Sequence, residues 1–451
     1  MTPSSTTSGF QIHRLTPAWH AVIAGLLSTS AYLYMANGSR HDGDFELVQL
    51  LSLSVFCAAL SFWVWYVHVR QQQEINLLIL LSFAILFRVI GGFTFPVLED
   101  DFYRYLWDAR MTVEFGSPYS MPPADFFDHE TLSYRFERIL DGINYPTVDT
   151  IYGPTCQWLF ALAYVISPGE IWPLQALLGV ADMLLILLLL KLAQPNSVLL
   201  YAWSPLIIKE FVITAHPDVL GALLVVSSLL VLHRRQWVSL GVFMALACGV
   251  KIFALILLPF LLRFEWKAWL AFLATAMLIA QPFGIKEAWF PGGLSAMGSS
   301  WLFNAPIYLL ADLTIGKWVS VFAVKLALLG TFAFASAAYL IIYLKKGRDV
   351  IAHQEFRGDL LYLGLFLAAP VFNAWYLVWL LPFAVLRPSV WAWSLSTTIL
   401  LSYATGINLS NSGLEPYQHW PSIIALEFLP IAIIATYSFL KNQQHQQPSN
   451  N

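Results

Sequence analysis

Apolar residues run along most of this chain in blocks of about 20, and at about 1.5 Å per helical residue such a block spans the roughly 30 Å hydrocarbon core of a bilayer. The pattern predicts helices over 18–36, 46–69, 76–97, 153–167, 171–191, 197–214, 219–232, 237–262, 268–283, 317–344, 358–380, 388–405 and 420–440. Several of these runs are too short or too long for one pass. The run 153–167 reads as a re-entrant or interfacial helix, and Gly249-Val250-Lys251 interrupts the run 237–262. Broken membrane helices are tolerated where their freed backbone groups line a buried or water-filled cavity, so breaks of this kind point to a site.

The expected fold class is an all-α polytopic membrane protein, with one domain over 1–440, a polar external segment over 98–152, and a disordered cytoplasmic tail over 441–451. Composition agrees: 58% of residues are hydrophobic and 11% charged, against about a quarter charged in a soluble domain. The formal net charge of -3 and the lack of a basic run at either terminus give no sign of a nucleic-acid partner. Cys57, Cys156 and Cys248 lie in or beside apolar stretches without C-x-x-C spacing and read as small buried hydrophobes. Basic residues precede the first apolar run with no small-residue cleavage site after it, which reads as an uncleaved first span.

Lysine and arginine favour cytoplasmic loops. His233-Arg234-Arg235, Lys345-Lys346-Gly347-Arg348 and the stretch from Arg263 to Lys267 therefore mark the inner side. With the N-terminus inside, three passes place the 98–150 segment outside, and the loop around His216-Pro217-Asp218 falls outside as well.

The external segment opens with Glu99-Asp100-Asp101 directly at a span end, where three adjacent carboxylates are costly without a task. Their mutual repulsion near a low-dielectric boundary raises at least one pKa unless a cation compensates, which suits either a tuned base or a divalent metal. A helix from this point stacks Asp101, Arg104 or Tyr105, and Asp108 on one face. Lys209 and Glu210 lie inside an apolar run, as functional groups or as a buried ion pair. His216 and Asp218 flank a proline at a span end, where either can meet a sugar hydroxyl or a metal. Lys251 has no acid near it in sequence, so a lipid phosphate is its expected counter-charge. Trp375 and Tyr376 offer aromatic faces that suit sugars and headgroups alike.

The run DDFYRYLWDARMTVEFGSPYSMPP resembles the first-loop motif of bacterial polyprenyl-phosphate-hexose-dependent glycosyltransferases, the mannosyltransferase-like members of the GT-C superfamily. SPLIIKEFVITAHPD is similar to that family's Asn-Pro-Leu, Glu, Gly-His-x-Asp segment, and VKIFALILLPFLL and NAWYLVWLLPF extend the resemblance from Glu99 to Pro382. The chain departs from the pattern at Ser204, where Asn is usual, at Ala215, where Gly is usual, at Pro217 within the His-x-Asp, and at Ala109, where Gly follows Trp-Asp.

The resemblance implies a GT-C-like bundle of about 11–13 transmembrane helices with a large external first catalytic loop, in a bacterial inner membrane. It implies transfer of a hexose, most simply mannose, from a polyprenyl-monophosphate donor to a lipid-linked or envelope glycan acceptor, with inversion. Asp101, slightly ahead of Asp100, takes the role of base, with Glu99 a weaker candidate. Arg104, Lys251 and Tyr152 are the candidates to hold the donor phosphate. A secondary transporter and an envelope glycan ligase or polymerase remain open at this point.

Overall fold

The computed structural model describes residues 16–39, 47–119, 121–127, 132–293, 301–345, 356–405 and 421–446. Among them the chain is helical, with no strand and one isolated bridge between Phe303 and Val371. A chain this apolar must satisfy its backbone internally, and helices do so without a partner. Prolines open many of them: Pro17, Pro154, Pro173, Pro195, Pro205 and Pro306 sit in first turns, where the missing N–H has no acceptor to lose. Asn76 caps Leu77–Gly92 by accepting from the N–H groups of Leu78 and Ile79.

Three helices are long and apolar enough to cross a membrane: Leu47–Arg70, Trp172–Leu189 and Val321–Lys345. They become four if Pro195–Ala202 and Pro205–Ile213, bent by 45°, form one span. Val321–Lys345 presents nearly its whole surface outward, which for an apolar helix means lipid.

Pro17–Gly38 has 22 residues, and further apolar helices are 10–17 residues long, so helix length alone does not reproduce the expected count of passes. The reason is local, because several predicted runs break in their interior. The run 237–262 becomes Trp237–Val250 and Ile252–Leu261 around an extended Lys251. The run 358–380 becomes Gly358–Ala368 and the tighter helix Ala374–Trp379, with Pro370 between them. Likewise 388–405 divides at Thr398. The final helix, Pro421–Gln446, continues into the segment expected to be a disordered tail. The expected inner-side cluster Lys346 to Arg348, the residues before Thr16 and those after Gln446 lie outside the described residues.

Inside the bundle Arg88 and Asp182 form a buried pair. Arg88 donates from Nε to Asp182 Oδ2 at 2.8 Å and from Nη1 to the Ala202 carbonyl at 2.8 Å, and Tyr201 Oη donates to Asp182 Oδ1. This clamp ties Leu77–Gly92 and Trp172–Leu189 to the bend at Trp203. Losing one partner of such a pair costs about 3–5 kcal/mol. All three cysteines are buried, as expected.

Two contacts set the geometry around the segment 98–152. Helix Asp101–Phe115 packs on Pro154–Ile166, which packs on Trp237–Val250. At the second contact, a Cβ on Gly153 would meet the Gly249 carbonyl oxygen at 2.3 Å, so the backbones touch. Tyr152 and Lys251 thereby enter the same cavity from neighbouring elements.

Candidate active site

Helix Asp101–Phe115 begins immediately after Glu99-Asp100, and helical spacing lines up Asp101, Arg104 and Asp108. Arg104 donates from Nε to Asp108 Oδ1 at 2.9 Å and from Nη1 to the Val148 carbonyl at 2.8 Å. Its Nη2 is buried without a hydrogen-bond partner. Asp108 also accepts from Thr150 Oγ1 and, at 3.2 Å, from Gln157 Nε2. Asp108 is therefore the buried anchor that aims Arg104 and does not itself reach the cavity. Tyr105 is likewise buried, edge-on to Tyr152 and stacked on Phe160.

The three adjacent acids meet three different environments. Asp100 accepts from Asn144 Nδ2. Burial, and then Asp101, push the Asp100 carboxyl up to about 7. Asp101 Oδ2 accepts from Tyr152 Oη at 3.1 Å. Glu99 is buried, and its Oε1 lies 2.9 Å from Tyr403 Oη, which also lies 2.8 Å from Glu210 Oε1. One phenol proton cannot serve both carboxylates, so one of them brings its own. Burial pushes the Glu99 carboxyl well up, and Lys209 pulls it back.

The segment from Ile208 to Ile213 is a π-helix, a widened turn that recurs at functional sites. It carries Lys209 and Glu210, whose Nζ and Oε2 lie 3.3 Å apart, so the buried ion pair read from the sequence is present. Ala215 then takes φ +59°, a left-handed backbone that glycine adopts without strain, at the position where the resembled motif has Gly. The turn folds His216 back, so that Nδ1 lies 3.2 Å from Glu210 Oε2 and 3.0 Å from Thr214 Oγ1. The His216 ring stacks on Trp375 at 4.0 Å and 14°, and its Nε2 lies 3.8 Å from Asp101 Oδ2.

Lys251 corrects an expectation. It is not an unpaired ammonium, because its Nζ donates to Asp218 Oδ1 and Oδ2 at 3.0 and 3.2 Å. Trp379 Nε1 holds the same carboxylate at 2.7 Å, and the ammonium sits 4.3 Å from the centre of the Tyr376 ring. Sequence distance hid this pair: 33 residues separate the partners, and the fold brings their helices together.

A cavity of about 130 Å³ opens between these elements. Of the expected site residues, Glu99, Asp100, Asp101, Arg104, Tyr152, Lys251, Trp375 and Tyr376 line it. Tyr105, Asp108, Glu210, His216 and Asp218 do not; they hold the lining residues from behind. Asn144 and Asp149, both in the segment 98–152, also line it. Sequence reasoning missed Tyr403, whose ring in an apolar run gives no signal, and Gln157. A glutamine inside a short apolar helix was a readable signal. Carboxylates and cationic groups share one aromatic-walled space, so the cavity can take a proton from a hydroxyl and stabilise an anionic leaving group.

The family model for the N-terminal domain of alpha-(1->6)-mannopyranosyltransferases matches residues 15–266, more than half of the chain. No curated protein and no solved structure matches the chain. The matched stretch holds Glu99 to Asp108, Tyr152, Lys209 to Asp218 and Lys251, and stops short of Trp375. It decides between the readings left open by the sequence in favour of sugar transfer over transport. Its apolar helices and this match together place the chain in the family of alpha-(1->6)-mannopyranosyltransferases, as a membrane hexosyltransferase that moves mannose from a sugar donor to a glycan acceptor.

Proposed function

We propose that this mannosyltransferase uses a polyprenyl-monophosphate-mannose donor and a lipid-linked or envelope glycan acceptor on the non-cytoplasmic face of the bacterial inner membrane. The observation that carries the reading is the convergence of Asp100, Asp101, Arg104 and Lys251 on one cavity beside Tyr152, Trp375 and Tyr376. A lipid-linked donor presents its phosphate at the membrane surface with its tail in the bilayer, and a cavity between short, broken apolar helices suits both parts.

In this mechanism Asp100 is the base. It is held by a neutral amide, whereas Asp101 is committed to Tyr152 and faces His216, so the geometry favours Asp100 over the order read from the sequence. Asp100 takes the proton of the acceptor hydroxyl as that oxygen attacks the anomeric carbon of mannose. The bond from that carbon to the phosphate oxygen breaks, and its electron pair leaves with polyprenyl phosphate. One displacement inverts the anomeric centre. The free Nη2 of Arg104 is the donor available to the departing phosphate, and Lys251 adds positive charge from a fixed mount on Asp218.

The test is incubation of purified protein in lipid nanodiscs with polyprenyl-phosphate-mannose and a membrane extract. The proposal predicts a product heavier by one hexose. Transfer from a nucleotide sugar alone, with none from the lipid donor, would overturn the donor assignment.

A further inference from the structure

We propose that Glu99, Asp101 and His216 form a binding site for one divalent cation of the manganese or zinc class, at the inner wall of the cavity. Each offers one ligand atom, and these atoms all lie within 4.8 Å of one another. Two ligands about 2.1 Å from a tetrahedral ion sit about 3.4 Å apart. The 3.8 Å between His216 Nε2 and Asp101 Oδ2 therefore closes with a shift of a few tenths of an ångström, yet is too long for a hydrogen bond.

The observation that lifts this above an acidic cluster is the imidazole. His216 is 1% exposed, and its Nε2 has no hydrogen-bond partner while it faces the Asp101 carboxylate at 3.8 Å. A buried ring nitrogen left without a partner is costly unless something fills the gap. Its other nitrogen is already held by Glu210 and Thr214, the carboxylate-histidine arrangement that fixes a metal-binding tautomer. Stacking on Trp375 fixes the ring plane. Tyr403 and Tyr152 hold Glu99 and Asp101 in the same way, so each of the three ligands has its own supporting partner.

One imidazole with two carboxylates is a mixed nitrogen and oxygen set, which suits manganese or zinc better than an all-oxygen cage for calcium. Asp101 lines the cavity, so the remaining coordination positions face the substrate space and can take an oxygen of a phosphate or hydroxyl. Only this last role rests on the proposed sugar transfer; the cation site stands on its own geometry.

The test measures Mn2+ bound to the detergent-purified full chain by equilibrium dialysis and electron paramagnetic resonance, with Zn2+ as competitor. The proposal predicts about one equivalent, displaced by Zn2+, with affinity falling about tenfold or more in His216→Gln and in Glu99→Gln. Glu427→Gln, a change at a buried acid outside the set, is expected to bind as wild type does. Wild-type protein that binds no Mn2+ or Zn2+, or bound Mn2+ unaffected by both ligand substitutions, overturns the site. The wild-type stoichiometry needs no variant to fold. Mannose transfer that persists in chelator alongside an absence of bound metal removes the cation and leaves the transferase reading intact, whereas bound metal without use of the lipid donor does the reverse.

Discussion

At the scale of single residues, adjacent acids are separated by their surroundings. Glu99 is buried against a phenol, Asp100 meets an amide at the cavity, and Asp101 faces a tyrosine and an imidazole. Asp100→Asn keeps the shape and removes the base, so transfer is expected to fall by about 10²–10⁴ with an unchanged thermal midpoint; turnover and melting of the same preparation check it. Ala215 carries a left-handed backbone that costs a non-glycine residue about 1–2 kcal/mol. Ala215→Gly is accordingly expected to raise the thermal midpoint and Ala215→Val to lower it. This turns one departure from the resembled motif into a physical statement: alanine occupies a glycine position under strain. Lys251 and Asp218 give a coupled case. Lys251→Met alone leaves a buried carboxylate unpaired, at about 3–5 kcal/mol, whereas Lys251→Met with Asp218→Leu is expected to lose less than either single change implies. A double-mutant cycle on thermal or denaturant stability reads the difference.

At the scale of elements, the hydrophobic pattern located nearly every helix and misjudged where they stop. Apolar residues favour burial in lipid or protein equally, so the apolar pattern alone carried 358–380 across Pro370, although a proline there removes an N–H and the run breaks into two helices around it. The charged interruption at Lys251 was legible because an ammonium in such a run needs a reason; its partner was not, because pairing is a property of the fold. The acids Glu99, Asp100 and Asp101, with Arg104, Tyr152 and the aromatic pair Trp375 and Tyr376, could be read as site residues, while Tyr403 could not. The close approach of Gly153 and Gly249 yields a prediction at this scale. A methyl group there has only 2.3 Å to a carbonyl oxygen, so Gly153→Ala is expected to push apart the elements carrying Tyr152 and Lys251. The loss should appear in both stability and transfer, and normal values for both would show that the contact yields freely.

For the molecule as a whole, the proposed orientation puts the segment 98–152 and the basic turn at Arg235 on opposite faces of the membrane. Cysteines introduced singly at the exposed positions Glu137 and Arg235, in a protein whose own cysteines are buried, are expected to react with an impermeant thiol reagent from opposite sides of intact cells. The proposed sugar transfer depends on a lipid-linked sugar reaching the cavity from the outer side. The most direct measurement is single-turnover transfer from polyprenyl-phosphate-mannose by purified wild-type and Asp100→Asn protein in nanodiscs, with products identified by mass. The account predicts addition of one hexose by the wild type and almost none by the variant; equal turnover by both would contradict it.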